Sequence, residues 1–206
     1  MEAAPRHGDP IRPLDWLEGV RVPGAQTTSG RLGWVGLDAV RCIAEPAFEL
    51  DQPALSRHWF VQFIRPPEKM DLRYEGVKRY VPPPAGAISL VPAGSPAQWH
   101  WSGRREWLHV YLEPGLVGRV AAEVFDLDAA RLAVPPLDGR DLPHLRATLA
   151  VVAAELASGG TGGPLAAESL ANVLAVHLLR HLSAPRRLQR GRHAALPRGR
   201  LRAVGE

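Results

Sequence analysis

The stretch from Gly86 to Trp101 constrains the fold of this chain more than any other part of the sequence. It begins at a glycine that follows three consecutive prolines, and Ile88 and Leu90 then share one face of an alternating segment. A period of two predicts a short β-strand. Pro92-Ala93-Gly94 predicts a tight turn after that strand, because proline fixes φ and glycine adopts positive φ readily.

Other short segments with strand-like patterns lie on both sides of this stretch, separated by glycines and prolines. They are His58–Ile64, which is rich in aromatic and β-branched residues, Asp71–Glu75, Val77–Val81, and Glu106–Leu112, which alternates strictly. We interpret Pro46 to Pro53 as a loop. Many short strands with close turns predict a β-sandwich or β-barrel.

After Pro114 the hydrophobic pattern changes to a helical period. A short helix is predicted there. A second helix is predicted after Asp141, its expected N-cap, because apolar residues recur at intervals of three and four between positions 142 and 156. A third helix is predicted from Pro164 to about Leu182, and its apolar residues lie nearly all round it. Such a helix must be covered on more than one side.

Two explanations for this coverage remain open at the level of sequence. The last two helices pack only against the β-structure, or their leucine seam also forms a dimer interface with a second copy of the chain. The residues of that predicted homodimer interface are Leu145, Leu149, Val152, Leu156, Leu170, Leu174 and Leu178.

Composition and charge narrow the functional classes. The chain has 206 residues, of which 46% are hydrophobic and 22% charged, as in ordinary globular proteins. Its net charge is +4, and an arginine-rich segment, 185–206, is more basic than the rest of the chain. A single cysteine, Cys42, excludes an internal disulfide. With no apolar run of about 18 residues and no signal-peptide pattern, we expect a cytoplasmic protein without a membrane partner.

The spacing Gly86, five residues, Pro92, any residue, Gly94 resembles the second motif of cupins, in the form found in the sensor domains of AraC-type transcription regulators. This resemblance implies a mainly β fold with C-terminal helices, in which a cupin-like double-stranded β-helix barrel precedes a two-helix dimerisation hairpin. The expected division is an N-terminal arm (1–30), an effector-binding barrel with a short helix (31–137), the two-helix segment (138–184) and an arginine-rich linker (185–206).

The same resemblance implies a regulatory function. In AraC-type regulators the barrel binds a small-molecule effector and the chain dimerises, whereas DNA is bound by helix-turn-helix units that follow the linker. Only 23 residues follow Ser183, too few for two further helices of average length and a turn, so we expect the DNA-reading part to be absent from this sequence. The alternatives are a degenerate cupin enzyme, of isomerase or metal-poor oxygenase type, and a stand-alone cupin that acts through protein contacts.

The histidines argue against a metal-dependent cupin enzyme. Such enzymes hold their metal with three histidines and an acid, and two of the histidines form a His-x-His pair. Here the nearest pair reads His58-Trp59-Phe60, and the position expected for a further histidine is Ala97. His100 and His109 alone rarely complete a metal site. We therefore expect no metal, no cofactor and no enzymatic activity.

The candidate effector site is predicted from the alternation of the strands. One face of Glu106–Leu112 carries Trp107, His109 and Tyr111, which are large, flat and polar-tipped. With His58 and Gln62 of the earlier strand, these residues are predicted to line a cavity. Trp99 or Trp101 would stand at its mouth, and the arm before Gly30 would cover it. The alternative is that these groups face solvent or satisfy one another in the core.

Overall fold

In the part of the chain that the structure describes, ten strands form two sheets. The computed structural model describes residues 11–19, 24–45 and 47–193, with the side chains of Ala25 and of 184–193 left out. In chain order the elements are α1 (Pro13–Gly19), β1 (Ala25–Thr28), β2 (Leu37–Ala44), β3 (Phe48–Gln52), β4 (His58–Arg65), β5 (Lys69–Tyr74), β6 (Val77–Arg79), β7 (Ile88–Val91), β8 (Ala97–Ser102), β9 (Arg105–Leu112), α2 (Pro114–Phe125), a 3₁₀ turn (Ala129–Arg131), β10 (Leu137–Arg140), α3 (Pro143–Ala157) and α4 (Gly163–His193).

Both sheets are antiparallel. The larger sheet has the strand order β1-β2-β9-β4-β7-β10, and the smaller has the order β3-β8-β5-β6. Strand β9 is central, because it pairs along its length with β2 on one side and β4 on the other. In that register His109 lies opposite Val40 and Val61, so these three residues point to the same side of the sheet.

The inner faces of the two sheets pack around a shared core, which we call the barrel interior. The outer face of the larger sheet is covered by α2, α3 and α4. Strand β9 shows both environments. Trp107 and Tyr111 belong to the barrel interior, and Leu108 and Val110 belong to the core beneath the helices. The mainly β fold with C-terminal helices is therefore confirmed.

The Gly86–Gly94 motif has the backbone expected from its sequence. Gly86 and Gly94 both have φ of +82°, a region that residues with a Cβ rarely adopt. The turn between β7 and β8 is closed by the amide of Ser95, which donates to the carbonyl of Pro92 at 3.2 Å. The motif thus connects the larger sheet at β7 to the smaller sheet at β8.

The leucine seam of the last two helices is not an exposed surface. Most of the predicted interface residues are buried within the chain itself, in the core between the helices and the larger sheet: Leu145, Leu149, Val152, Leu156, Leu174 and Leu178, with Leu170 partly buried at its edge. The chain's own sheet and helices cover the six buried residues, so these positions offer no exposed surface to a second copy of the chain. Intramolecular packing explains the all-round apolar pattern of α4.

Several elements differ from the sequence-based prediction. The sequence predicts a loop over 46–53, yet Phe48–Gln52 forms β3, with Leu50 and Gln52 buried and Glu49 and Asp51 exposed. Helix α3 begins at Pro143 with Leu142 at its N-cap, and Asp141 pairs instead with Arg146 at 2.9 Å. The side chains of the arginine-rich segment 185–206 lie outside the described residues.

Candidate ligand-binding site

Five aromatic rings form a closed circuit inside the barrel, which we call the aromatic box: Trp59, Trp99, Trp101, Trp107 and His109. Consecutive ring centroids are 5.0 Å apart for Trp59–Trp99, 5.7 Å for Trp99–Trp101, 4.8 Å for Trp101–Trp107, 5.5 Å for Trp107–His109 and 4.8 Å for His109–Trp59. These separations fall in the range of favourable aromatic contacts. The box joins β4 and β9 of the larger sheet to β8 of the smaller one.

The aromatic box surrounds a small internal cavity. Val61, Phe63, Pro67 and Met70 complete its lining. The volume of the cavity is about 10 Å³, about the size of one water molecule. Any larger ligand must therefore displace side chains as it enters.

His109 is the polar member of the box. Its ring is stacked on Trp107 and meets Trp59 edge-on. Burial lowers the pKa of His109 to about 3, so the imidazole is neutral at physiological pH. The Tyr111 hydroxyl lies 3.4 Å from Nδ1, and burial raises the pKa of Tyr111 well above its ordinary value. When that hydroxyl donates to Nδ1, Nε2 carries the ring proton and is a hydrogen-bond donor.

A buried cation lies behind two walls of the box. Arg105 is 0% exposed, and its guanidinium carbon is 5.4 Å from the ring centroid of Trp101 and 5.1 Å from that of Trp107. Its Nη1 donates to the carbonyl of Gly103 at 3.1 Å. Burial lowers the pKa of Arg105 to about 10, which leaves the group positively charged at neutral pH. Burial also raises the pKa of Cys42, which therefore stays a neutral thiol.

Helix α1 lies against one end of the barrel interior. Its Leu14, Trp16 and Leu17 pack on the inner core while remaining partly exposed. Trp16 and Leu17, together with Cys42 and members of the aromatic box, line a second cavity of about 10 Å³, no larger than one water molecule. The segment before Gly30, predicted to cover the site, thus provides walls of this cavity.

Four of the predicted site residues meet in the barrel interior, namely Trp99, Trp107, His109 and Tyr111. The predicted placement of His58 and Gln62 is wrong. Their register opposite Leu112 and Leu108 turns them to the helix-covered face of the sheet, where Nδ1 of His58 accepts from the amide of Ala93 at 3.1 Å. Burial there lowers the pKa of His58 to about 4.

Trp99 and Trp101 do not stand at a cavity mouth. Both are buried, because the alternation of β8 turns them inward while Gln98 and His100 face outward. Sequence reasoning missed Trp59 and Arg105. Trp59 could have been found from the alternation of its strand, but His58 was assigned to the inner face and Trp59 therefore to the outer one. Arg105 could not have been found, because a charged residue at the start of a strand is usually exposed.

Two further properties concern only the part of the chain that the structure describes. Within it, no group of three or more His, Cys, Asp or Glu side chains is close enough to hold a metal ion. No described helix is both long and apolar enough to cross a membrane.

Comparison with known proteins finds no matching protein-family profile and no matching curated protein. Solved structures do match, and cupins are among them. A cupin superfamily protein from Desulfitobacterium hafniense is 12% identical with a TM-score of 0.36, over 53% of this chain and 99% of that one. A cupin domain from Bordetella pertussis is 12% identical with a TM-score of 0.35, over 46% of this chain and 99% of that one.

A third match is KdgF from Halomonas sp., which is 11% identical with a TM-score of 0.34, over 42% of this chain and 76% of that one. Scores of this size describe distant likeness. They define neither a family nor a function for this chain.

Proposed function

We propose that this chain is the sensor domain of an AraC-type transcription regulator, in which a cupin-like barrel binds a small-molecule effector. The observation that carries the proposal is the aromatic box, which combines apolar walls with a neutral imidazole in the centre of the barrel. Ligand sites typically join apolar walls to a few polar groups in this way. The Gly86–Gly94 motif supports the family assignment, since both glycines adopt the positive φ that a tight turn requires.

The proposed route of the effector passes α1. Trp16 and Leu17 pack on the interior but are only partly buried, so their displacement exposes less apolar surface than opening a sheet would. Displacement of α1 also changes the surroundings of Asp38, because Arg12 and Asp15 both act on its charge. Asp38 in turn forms a 2.7 Å ion pair with Arg57, just before β4.

Homodimerisation is the second part of the proposal, through a surface other than the buried seam. His144 of α3 and His177 of α4 are neighbours, with ring centroids 5.5 Å apart. Val151 lies two turns along α3 from His144, and Val173 lies one turn along α4 from His177, so both valines continue the same side of the antiparallel pair. Both are exposed. In our proposal this outward stripe meets a second copy of the chain.

A thermal-shift screen tests effector binding. A compound that binds in the barrel raises the melting temperature in proportion to the logarithm of its concentration. His109→Phe keeps a ring in the aromatic box but removes both ring nitrogens, so it should reduce that shift. His100→Phe is the matched control, because His100 lies on the outer face of β8 and pairs with Glu49 at 2.9 Å. An equal ligand response in the two variants would place the effector outside the box.

The dimer is tested by light scattering, in which twice 22.4 kDa is expected. Val151→Glu places a charge on the proposed stripe and should shift the mass toward the monomer. Val124→Glu is the control, since Val124 is equally exposed but lies on α2. A monomeric parent chain, or a dimer that both variants leave intact, would contradict this interface.

A further inference from the structure

The aromatic box has more hydrogen-bond donors than the surrounding protein satisfies. The indole nitrogens of Trp59, Trp99 and Trp101 are buried and have no acceptor within hydrogen-bond distance among the described protein atoms. An indole N–H only donates, and a buried donor without a partner is costly. The indole nitrogen of Trp34, in the core beneath the helices, shares this property. Three such residues around one cavity nevertheless favour a partner there that accepts hydrogen bonds.

The described walls of the cavity supply no such partner. Apart from His109, the described lining residues are tryptophans and the apolar side chains of Val61, Phe63, Pro67 and Met70, so they present no carboxylate, amide oxygen or hydroxyl. The imidazole is itself a donor at Nε2 when Nδ1 accepts from Tyr111. The shortage of acceptors is therefore a property of the cavity's side-chain chemistry.

The position of Arg105 favours a negatively charged ligand over a cation. Four tryptophans around a cavity would also suit a quaternary ammonium group, through cation–π attraction. Here, however, Arg105 already occupies the outer side of the Trp101 and Trp107 rings. A second cation inside the box would be repelled by this guanidinium, and an anion would be attracted, at a distance where a low-dielectric interior screens little.

We propose that the effector is a small, flat, apolar acid, whose carboxylate accepts hydrogen bonds from the indole N–H groups of Trp59, Trp99 and Trp101. This inference rests on the proposed sensor function of the same site. The ring of the acid replaces part of the aromatic packing, and its carboxylate takes the acceptor role that the cavity lining does not supply. Charge-assisted hydrogen bonds of this kind are the stronger ones.

The test uses pairs of ligands that share a shape and differ in charge. Benzoate and 2-naphthoate are compared by isothermal titration at neutral pH with nitrobenzene and 2-nitronaphthalene, their neutral isosteres, and with phenyltrimethylammonium. At least one acid should bind about tenfold or more tighter than its isostere, the margin expected from one charged hydrogen bond. Phenyltrimethylammonium should not bind.

Two matched pairs of variants locate the effect. Trp99→Phe removes one indole N–H and should weaken the acid more than its neutral isostere, whereas Trp34→Phe, in the core beneath the helices, should change neither. Arg105→Gln should remove the preference for the acid, and Arg104→Gln, at the neighbouring exposed arginine, should retain it. If Arg105→Gln fails to fold, the comparison of Trp99→Phe with Trp34→Phe still tests whether the acid binds in the aromatic box.

The outcomes separate this inference from the proposed function. Equal binding of acid and isostere, or preferred binding of phenyltrimethylammonium, would overturn the acid class and leave a sensor with a different ligand. The acid class is likewise overturned if neither acid binds while another compound gives the His109-dependent thermal shift. If no compound of any class binds, both the acid class and the sensor function are overturned.

Discussion

Replacement of Leu149 by alanine tests whether the leucine seam holds the helices on the chain's own sheet. Leu149 is 0% exposed in the core between α3 and the larger sheet. Removal of its three terminal carbons costs about 2.4 kcal/mol at roughly 0.8 kcal/mol per carbon. The cavity left behind adds to this cost, so a total of about 3–5 kcal/mol is expected.

Val124→Ala on α2 is the control, because Val124 lies outside the proposed dimer stripe. Val124 is 59% exposed, and alanine has the higher helix propensity, so the free energy of unfolding should change by less than about 0.5 kcal/mol. Urea unfolding measures both changes, and light scattering follows the mass in parallel. If Leu149→Ala cost less than about 1 kcal/mol and converted a dimer to a monomer, the seam would be intermolecular and its assignment to the chain's own core would be wrong.

Three further predictions follow from other parts of the molecule. The pKa values of His58 and His109 are lowered to about 4 and about 3, so the unfolded chain binds more protons below pH 6.5. The free energy of unfolding should therefore fall as the pH falls from about 6.5, by about 2 kcal/mol per histidine at pH 5. In unfolding measured against pH, His109→Phe should remove the part of this loss that comes from His109. Gly36→Ala should destabilise the protein more than Gly33→Ala in the same assay. Both glycines have positive φ, but only at Gly36 would an added Cβ meet other atoms, those of Leu116 at 3.0 Å and Ala171 at 3.1 Å. Equal losses of stability in the two variants would contradict this packing. Elemental analysis after dialysis should find no stoichiometric transition metal, since Ala97 stands where metal cupins have a histidine, and about one metal per chain would refute that.

Short runs of aromatic and β-branched residues, or strict alternation between two kinds of side chain, predicted most of the strands. These patterns located β9 and β4 almost to the residue. Strand β3 was missed, since its five residues include two acids and follow a proline. The acids are tolerated because β3 is an edge strand whose alternate side chains face outward. Local sequence does not contain that information.

The candidate site was likewise predictable only where the sequence of a single strand distinguishes its two faces. Alternation in β9 separated Trp107, His109 and Tyr111 from the leucines and correctly grouped them on one face. In β4 both faces are buried, so alternation could not distinguish the face of His58 from that of Trp59. Only the register between β4 and β9 settles the choice, by placing Trp59 opposite Tyr111.

The indole N–H signals of the tryptophans test the central claim most directly. The chain has six tryptophans, of which Trp34 lies in the core beneath the helices, and Trp59, Trp99, Trp101 and Trp107 lie in the barrel. In ¹H–¹⁵N spectra, assigned with single Trp→Phe variants, an effector found by thermal shift should move signals of these barrel tryptophans and leave that of Trp34 in place. Movement of Trp34 with unchanged barrel signals would contradict ligand binding in the barrel.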